Sequence, residues 1–275
     1  MNGPIRRVLT RRLIRRIEEA SMNAWPALQQ LLLDGWLIRL SNGFTKRANC
    51  VVPLYRGLEE GDSDNELVKI RYCENLYARE QLQTIFRLTS HSPVNALDTL
   101  LDERGYDLID ETQVQLLNLS TLPTLPTLRE IDLPSSSQPQ KHQGELRLVP
   151  APQWLREYGR LAELPRTTSE LHASLIRSIR PDCAFAWLVI DDKPVACALG
   201  VLEHDLFGLF DVITAPEHRR QGYAGALLKK LLAWGAEQGA QHAYLQVIAD
   251  NNPALALYQQ LGFEHLYSYW YRRSK

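Results

Sequence analysis

The chain has 275 residues, of which 45% are hydrophobic and 23% charged, with a formal net charge of -1. That length supports two domains, or one large one, with cores that need neither disulfides nor metals. The balanced charge excludes a protein built on global charge for nucleic acid or lipid surfaces, and no apolar run reaches the roughly 18–20 residues of a membrane span.

The chain opens with Arg6, Arg7, Arg11, Arg12, Arg15 and Arg16, all before its first acid, Glu18. Ile5, Val8, Leu9, Leu13, Ile14 and Ile17 fall near helical spacing. The pattern predicts a basic amphipathic helix that packs one face and solvates its arginines. An arm gripping an anion or RNA is the sharper alternative, and no long apolar core marks a secretory leader. A helix follows over Glu66 to Arg79 and a strand over Thr84 to Leu88. A second helix starts at Ser92-Pro93 and contains Leu97, Leu100 and Leu101. Arg104-Gly105-Tyr106 then leads into a strand ending near Leu119. Residues 121–144 are dominated by Pro, Ser, Thr and Gln and read as a linker. The expected domains are therefore 1–120 and 145–275.

The second half alternates strands and turns. Strands are expected at Phe185 to Ile190, Val195 to Leu202 and Leu206 to Thr214, with turns at Asp191-Asp192-Lys193-Pro194 and Glu203-His204-Asp205. A Gly-containing loop, Pro216 to Ala224, opens a helix with Leu227, Leu228, Leu231, Leu232 and Gly235 on one face, ending at Gly239. A buried strand follows at Ala243 to Ile248. Asn252 is the expected cap of the next helix, with Pro253 inside it and Gly262 at its exit. An aromatic strand, Phe263 to Arg272, ends the chain. Arg104-Gly105-Tyr106 and Leu261-Gly262-Phe263 occupy equivalent places in helix–strand–helix–strand order, which reads as a weak internal repeat, with chance similarity of two α/β segments as the alternative.

The most informative stretch runs from Phe210 to Ala224 and contains Arg219-x-x-Gly222-x-Ala224 at the start of a helix. Successive backbone N–H groups at a helix start form an anion nest reinforced by the helix dipole. Glycine lets such a backbone approach a phosphate closely. No Gly-Lys-Ser/Thr follows, so this is not a Walker A loop, and it is not a GxGxxG fingerprint.

Here the chain resembles the GNAT N-acetyltransferase superfamily. Arg219, Gly222 and Ala224 match its pyrophosphate loop. Asn251, Ala254, Tyr258, Gly262 and Phe263 match its second hallmark, in register. The resemblance covers about residues 145–275. The first half resembles the degenerate N-terminal domain found beside some GNAT domains, through Gly35-Trp36, Gly43-Phe44-Thr45, Arg47-Ala48-Asn49 and Pro53-Leu54. It lacks the loop, since Arg56-Gly57-Leu58-Glu59 does not match. The implied fold is a mixed-sheet α/β acyltransferase in tandem with a degenerate half.

The resemblance implies acetyl-CoA, held by Val212, Ile213 and Thr214 at a strand edge and by Arg219, Arg220, Gln221, Gly222, Tyr223, Ala224 and Gly225, with Asn251 contacting cofactor or capping its helix. Lys229 and Lys230 lie further along the helix, on what reads as a solvated face. The implied reaction is direct attack of an amine, on a small molecule or peptide, at the thioester. Exposing the lone pair of an alkylamine at pH 7 costs roughly 4–5 kcal/mol, which makes a carboxylate base useful. Asp211 is the first candidate for base or ammonium anchor; pairing with a neighbouring arginine is its structural alternative. Glu203 is a weaker candidate. Tyr258 matches the family's general acid toward the departing thiolate. The amide of Val212 is placed to polarise the thioester carbonyl. Residues Trp154 to Arg180, with Glu157, Tyr158, Glu163, Glu170 and His172, are the expected acceptor-side contribution, unranked. His204 and His218 read as surface residues and Cys197 as core. Packing is the default for Tyr267, Tyr269 and Tyr271. The four cysteines (Cys50, Cys73, Cys183, Cys197) are scattered without a CxxC pair, so no metal or disulfide framework is expected and a reducing, cytoplasmic setting fits. No nucleic-acid or membrane partner is expected. A non-catalytic acyl-CoA-binding regulator is the alternative function.

Overall fold

The chain runs α1 (Gly3–Ala24), β1 (Gln29–Leu33), β2 (Trp36–Leu40), β3 (Val51–Pro53), α2 (Ser63–Arg79), β4 (Ile85–Thr89), α3 (Leu97–Glu103) and β5 (Asp107–Asn118). It continues with β6 (Glu145–Leu148), α4 (Ala151–Leu161), α5 (Arg166–Ser178), β7 (Asp182–Ile190), β8 (Lys193–Glu203), β9 (Leu206–Thr214), α6 (Tyr223–Glu237), β10 (His242–Ile248), α7 (Asn252–Gln260) and β11 (Glu264–Arg273). This computed structural model describes residues 3–55, 57, 63–92, 96–121 and 144–275. The Pro/Ser-rich stretch 122–143 and most of the loop at 56–62 lie outside the described residues.

Two units emerge, and they are not contiguous halves. The first combines the described residues of Met1–Ala24, Gln115–Val247 and Asn251–Leu266. The second combines those of Trp25–Val114, Ile248–Asp250 and Tyr267–Lys275. Helix α1, expected in the first domain, packs with the second-half elements instead. Arg16 pairs with Asp205, and Asn23 Nδ2 donates to Glu203 Oε1 and Oε2 at 2.9 and 3.2 Å. Glu203 is thereby occupied in holding α1. The final residues, by contrast, complete the other unit.

In the first unit the strand order is β10-β9-β8-β7-β6. The β7–β8 hairpin pairs Ile190 with Lys193 around Asp191 and Asp192, which have φ of 47° and 59°. Two positive-φ residues make the turn type that matches strand twist, and Asp tolerates that conformation better than bulky residues. Between β8 and β9, Cys197 faces Ile213 and Leu199 faces Phe210, so Ala198 opposes both Asp211 and Val212. That is a β-bulge with its surplus residue in β9. Asp211 sits in the bulge with φ of 49°. The parallel register of β9 with β10 runs from Leu206/His242 to Leu209/Leu245, and Phe210–Thr214 lie beyond the last pair.

Helix α6 lays Leu227, Leu228, Leu231 and Leu232 into the core of this unit. Each is essentially fully buried, worth about 2 kcal/mol apiece relative to exposure. Gly239, at φ 97°, ends the helix while Ala240 N–H bonds back to Gly235 O at 3.0 Å, a left-handed cap. Helix α6 and the sheet approach closely at Phe207. A Cβ on Gly200 would stand 2.2 Å from its Cζ, and one on Gly235 2.6 Å from its Cδ1. The ring is clamped between two glycines of different elements and cannot retreat from both.

The second unit has strand order β1-β2-β3-β4-β11, around a core of Trp36, Ile38, Val51, Ile70, Tyr77, Phe86, Leu97 and Leu101. β3 is parallel to β4, through Val51/Phe86. Tyr267, Tyr269 and Tyr271 are all at most 2% exposed, so they are packing residues. On the same strand, Trp270 Nε1 donates to Asp98 Oδ1 at 2.9 Å, and Arg272 holds Asp98 through both oxygens and Asp102 at 2.5 Å.

The two Gly-aromatic turns have one geometry. In α3, Gly105 N–H bonds to Asp102 O and Tyr106 N–H to Leu101 O; in α7, Gly262 N–H bonds to Gln259 O and Phe263 N–H to Tyr258 O. Both glycines have positive φ, 79° and 90°, as this motif requires. Within the shared motif, Leu101 holds the place that Tyr258 holds in the other unit.

Gly235→Ala is expected to lower stability by about 1–3 kcal/mol through overpacking against Phe207; the urea midpoint at unchanged m checks it. Arg272, and secondarily Trp270, hold the Asp98 carboxyl below the ordinary carboxylate range against the opposing effect of burial. A depressed carboxylate contributes stability above its unfolded pKa and loses it as pH falls through the folded one. Asp98→Asn should therefore destabilise at pH 7, with the deficit closing as both proteins are acidified below the usual carboxylate range, read as paired denaturation curves.

Candidate active site

Three elements converge on the β9 bulge. Helix α4 buries Trp154 completely, with Trp154 Nε1 donating to Ala186 O at 3.3 Å. One turn on, Tyr158 stacks on the indole at 4.9 Å with an interplanar angle of 16°, an i,i+4 pair. Helix α5 turns His172, Leu175 and Ile176 inward on one face. The His172 ring lies 4.8 Å from that of Tyr158.

Asp211 meets both. Its Oδ2 lies 2.8 Å from His172 Nε2, and its Oδ1 accepts the Tyr158 hydroxyl at 3.3 Å. The His172 side chain is 2% exposed and that of Asp211 10%. Asp211 is thus held by a histidine and a phenol, where the alternative had placed a neighbouring arginine. Glu157 and Glu170, which the sequence could not rank against His172 and Tyr158, form surface pairs with Arg160 and Arg166, at 2.8 and 2.9 Å. Two cues pointed inward: His172 shares the helical spacing of Leu175 and Ile176, and Tyr158 follows Trp154 by four residues.

Beyond the bulge, Val212, Ile213 and Thr214 are half-buried. The chain then turns through Pro216–His218. Arg219 Nε donates to Thr214 O at 3.3 Å and Gln221 Nε2 to Glu217 O at 3.1 Å. Arg219, Arg220, Gln221 and Gly222 are exposed. Gly222 is the N-cap of α6 at φ 81°, and no side chain caps the helix. The first N–H groups of α6 therefore meet no capping side chain, where the helix dipole favours an anion. Tyr223 is 8% exposed, its ring edge-on to His218 at 5.9 Å, and it anchors the turn. Lys229 is exposed, but Lys230 is buried, which corrects the solvated face expected for both.

Helix α7 adjoins this helix start: a Cβ on Gly225 would stand 3.4 Å from Leu257 Cδ1, one residue before Tyr258. The Tyr258 phenol is pushed up to about 12 by burial and lies edge-on to Phe263 at 6.0 Å. The helix cap is Asn251, not Asn252: Asn251 Oδ1 accepts Ala254 N–H at 3.3 Å. Cys197 is buried, and burial pushes its thiol up to about 12, as befits a core residue. His204 is exposed at its hairpin turn. Among the described residues no group of three His, Cys, Asp or Glu could hold a metal ion, and no helix is long and apolar enough to cross a membrane.

A mixed sheet with a bulged strand, a glycine turn into a helix and a tyrosine helix beside it defines a GNAT-type acyltransferase. The family model described as "Probable histone acetyltransferase Rv0428c C-terminal" matches residues 12–272, and the chain belongs to that family. It is 28% identical over 261 residues to the uncharacterized N-acetyltransferase YobR of Bacillus subtilis, covering 94% of this chain and 98% of that one. It is 28% identical over 253 residues to the probable histone acetyltransferase Rv0428c of Mycobacterium tuberculosis, covering 91% and 70%. A GCN5-related N-acetyltransferase structure from Kribbella flavida shares the fold, with TM-score 0.64, 17% identity and coverage of 94% and 95%.

Replacing the α7 cap by Asn251→Ala should cost about 1 kcal/mol of stability, measured as a lowered denaturation midpoint.

Proposed function

We propose that the protein transfers an acetyl group from acetyl-CoA to a primary amine of a small molecule or peptide, working in the cytoplasm. The observation that carries this reading is the glycine turn at an α6 start without a capping side chain, following the free length of β9, with the first turn of α6 packed against Leu257, the residue before Tyr258. These residues fit the cofactor. Backbone N–H groups of Gln221, Gly222, Ala224 and Gly225 would face the pyrophosphate, with Arg219 and Arg220 adding positive charge. Val212–Thr214 supply half-buried strand backbone for the amides of pantetheine. The four free cysteines agree with a reducing compartment.

Acetyl-CoA would supply the activated thioester. Asp211 anchors the substrate ammonium and accepts its proton, offsetting the roughly 4–5 kcal/mol needed to expose the lone pair. The amide of Val212 donates toward the carbonyl oxygen as negative charge develops. Tyr258, kept neutral by burial, donates its O–H to the departing sulfur.

Acetyl-CoA at 100 times its Kd should stabilise the protein by about 2.7 kcal/mol; an unmoved Tm overturns the reading. Tyr258→Phe should lower kcat about 100-fold with Kd for acetyl-CoA unchanged, followed by free-thiol release with a panel of amines. An unaltered rate removes Tyr258 from its role.

A further inference from the structure

We infer that His172 and Tyr158 are positioning residues: together they hold the Asp211 carboxylate aimed at the acceptor, which is a cationic alkylammonium. This rests on the acetyl-transfer reading above. The 2.8 Å contact between His172 Nε2 and Asp211 Oδ2 contains one hydrogen. A carboxylate has none to give, so Nε2 carries that hydrogen and donates it. The Tyr158 hydroxyl donates to the other oxygen, Oδ1, at 3.3 Å. Each oxygen of Asp211 thus has its own donor, and the two donors come from different helices.

Two donors leave the carboxylate with capacity to spare, since its oxygens offer about four lone-pair sites between them. The remaining sites suit the N–H groups of a substrate ammonium. A phenol and a neutral imidazole also orient the carboxylate without cancelling its charge, as a guanidinium would. Asp211 therefore keeps its attraction for a cation, and the two donors decide the direction from which that cation is held.

The donors are themselves fixed. The His172 side chain is 2% exposed, on the inward face of α5 with Leu175 and Ile176. Tyr158 stacks on buried Trp154, and its ring lies 4.8 Å from the imidazole. The backbone aims the third member, because Asp211 lies in the β9 bulge with φ of 49°. A carboxylate free to rotate would present the amine at varying distances from the thioester, and a misplacement of about 1 Å costs around 100-fold in rate. The bond from His172 is the shorter of the two, so His172 carries the larger share.

Two measurements test this. The first needs no activity. At about pH 8, where an imidazole is ordinarily neutral, NMR of the wild type should show a low-field His172 Nε2–H proton that exchanges slowly with water. It should move upfield in Asp211→Asn, where the acceptor loses its charge. A ring with its hydrogen on Nδ1, or a signal indifferent to Asp211→Asn, overturns the proposal. The second is steady-state kinetics at the same pH, with acetyl-CoA and whichever of spermidine, an N-terminal alanyl peptide or a lysyl peptide is acetylated fastest. His172→Leu should lower kcat/KM for the amine at least about 10-fold, with Kd for acetyl-CoA unchanged. Tyr158→Phe, which keeps the stacked ring, should lower it by a smaller factor. His172→Gln, which returns an N–H donor close to the place of Nε2, should recover most of the loss. Equal losses in His172→Gln and His172→Leu assign His172 to packing alone and overturn the proposal, as does a wild-type rate in His172→Leu. A bonded Nε2–H in a protein that acetylates none of the three amines instead overturns the acetyl-transfer reading, while active protein without that bond overturns the positioning role alone.

Discussion

Between Cys197 and Leu199 one residue of β8 faces two of β9, and a pleated ladder cannot absorb that mismatch flat. The strand bends, and three features follow from the bend. Asp211 takes a left-handed backbone and meets His172 and Tyr158. The parallel register with β10 stops at Leu209, so the rest of β9 runs on without that partner. The chain then enters the turn that ends at Gly222, itself left-handed, at the start of α6. A carboxylate, a length of strand backbone and a helix N-terminus are thus set along one short segment. An acyl transfer to an amine needs a base, a seat for the thioester arm and a seat for its phosphates.

The helix that begins at Gly222 is held firmly. Its leucine face is buried, and Gly200 and Gly235 admit the Phe207 ring between sheet and helix. Such close approach leaves little room for α6 to slide, because interiors are packed at crystal-like density. The glycines serve geometry here, not chain flexibility.

The second unit runs through a comparable order, β3-α2-β4-α3-β5 against β9-α6-β10-α7-β11, with a parallel pair in each and the same glycine exit from the last helix. Its chemistry differs. Leu101 takes the place of the phenol and is fully buried, and the sequence after β3, Arg56-Gly57-Leu58-Glu59, does not match the Arg-x-x-Gly-x-Ala spacing of the other half. In this unit Arg272 ties the last strand to Asp98 and Asp102, a structural use of charge.

Much was legible in the residues themselves. The spacing of Arg219, Gly222 and Ala224, and of Asn251, Ala254 and Tyr258, carried the resemblance to the acyltransferase class, because turns and helix starts depend on a few neighbouring residues. The strands β7 to β10 and the helices α6 and α7 lie close to their expected limits for the same reason. Two things depended on distant residues instead. The chain ends were traded, α1 packing with the second-half elements and β11 completing the first-half sheet, since burial of an amphipathic face is indifferent to sequence order. The partners of Asp211 were decided by a bulge, which has no local sequence signature: one surplus residue exists only relative to the strand beside it, and so His172 and Tyr158, some forty and fifty residues away, became its neighbours only once the sheet had formed.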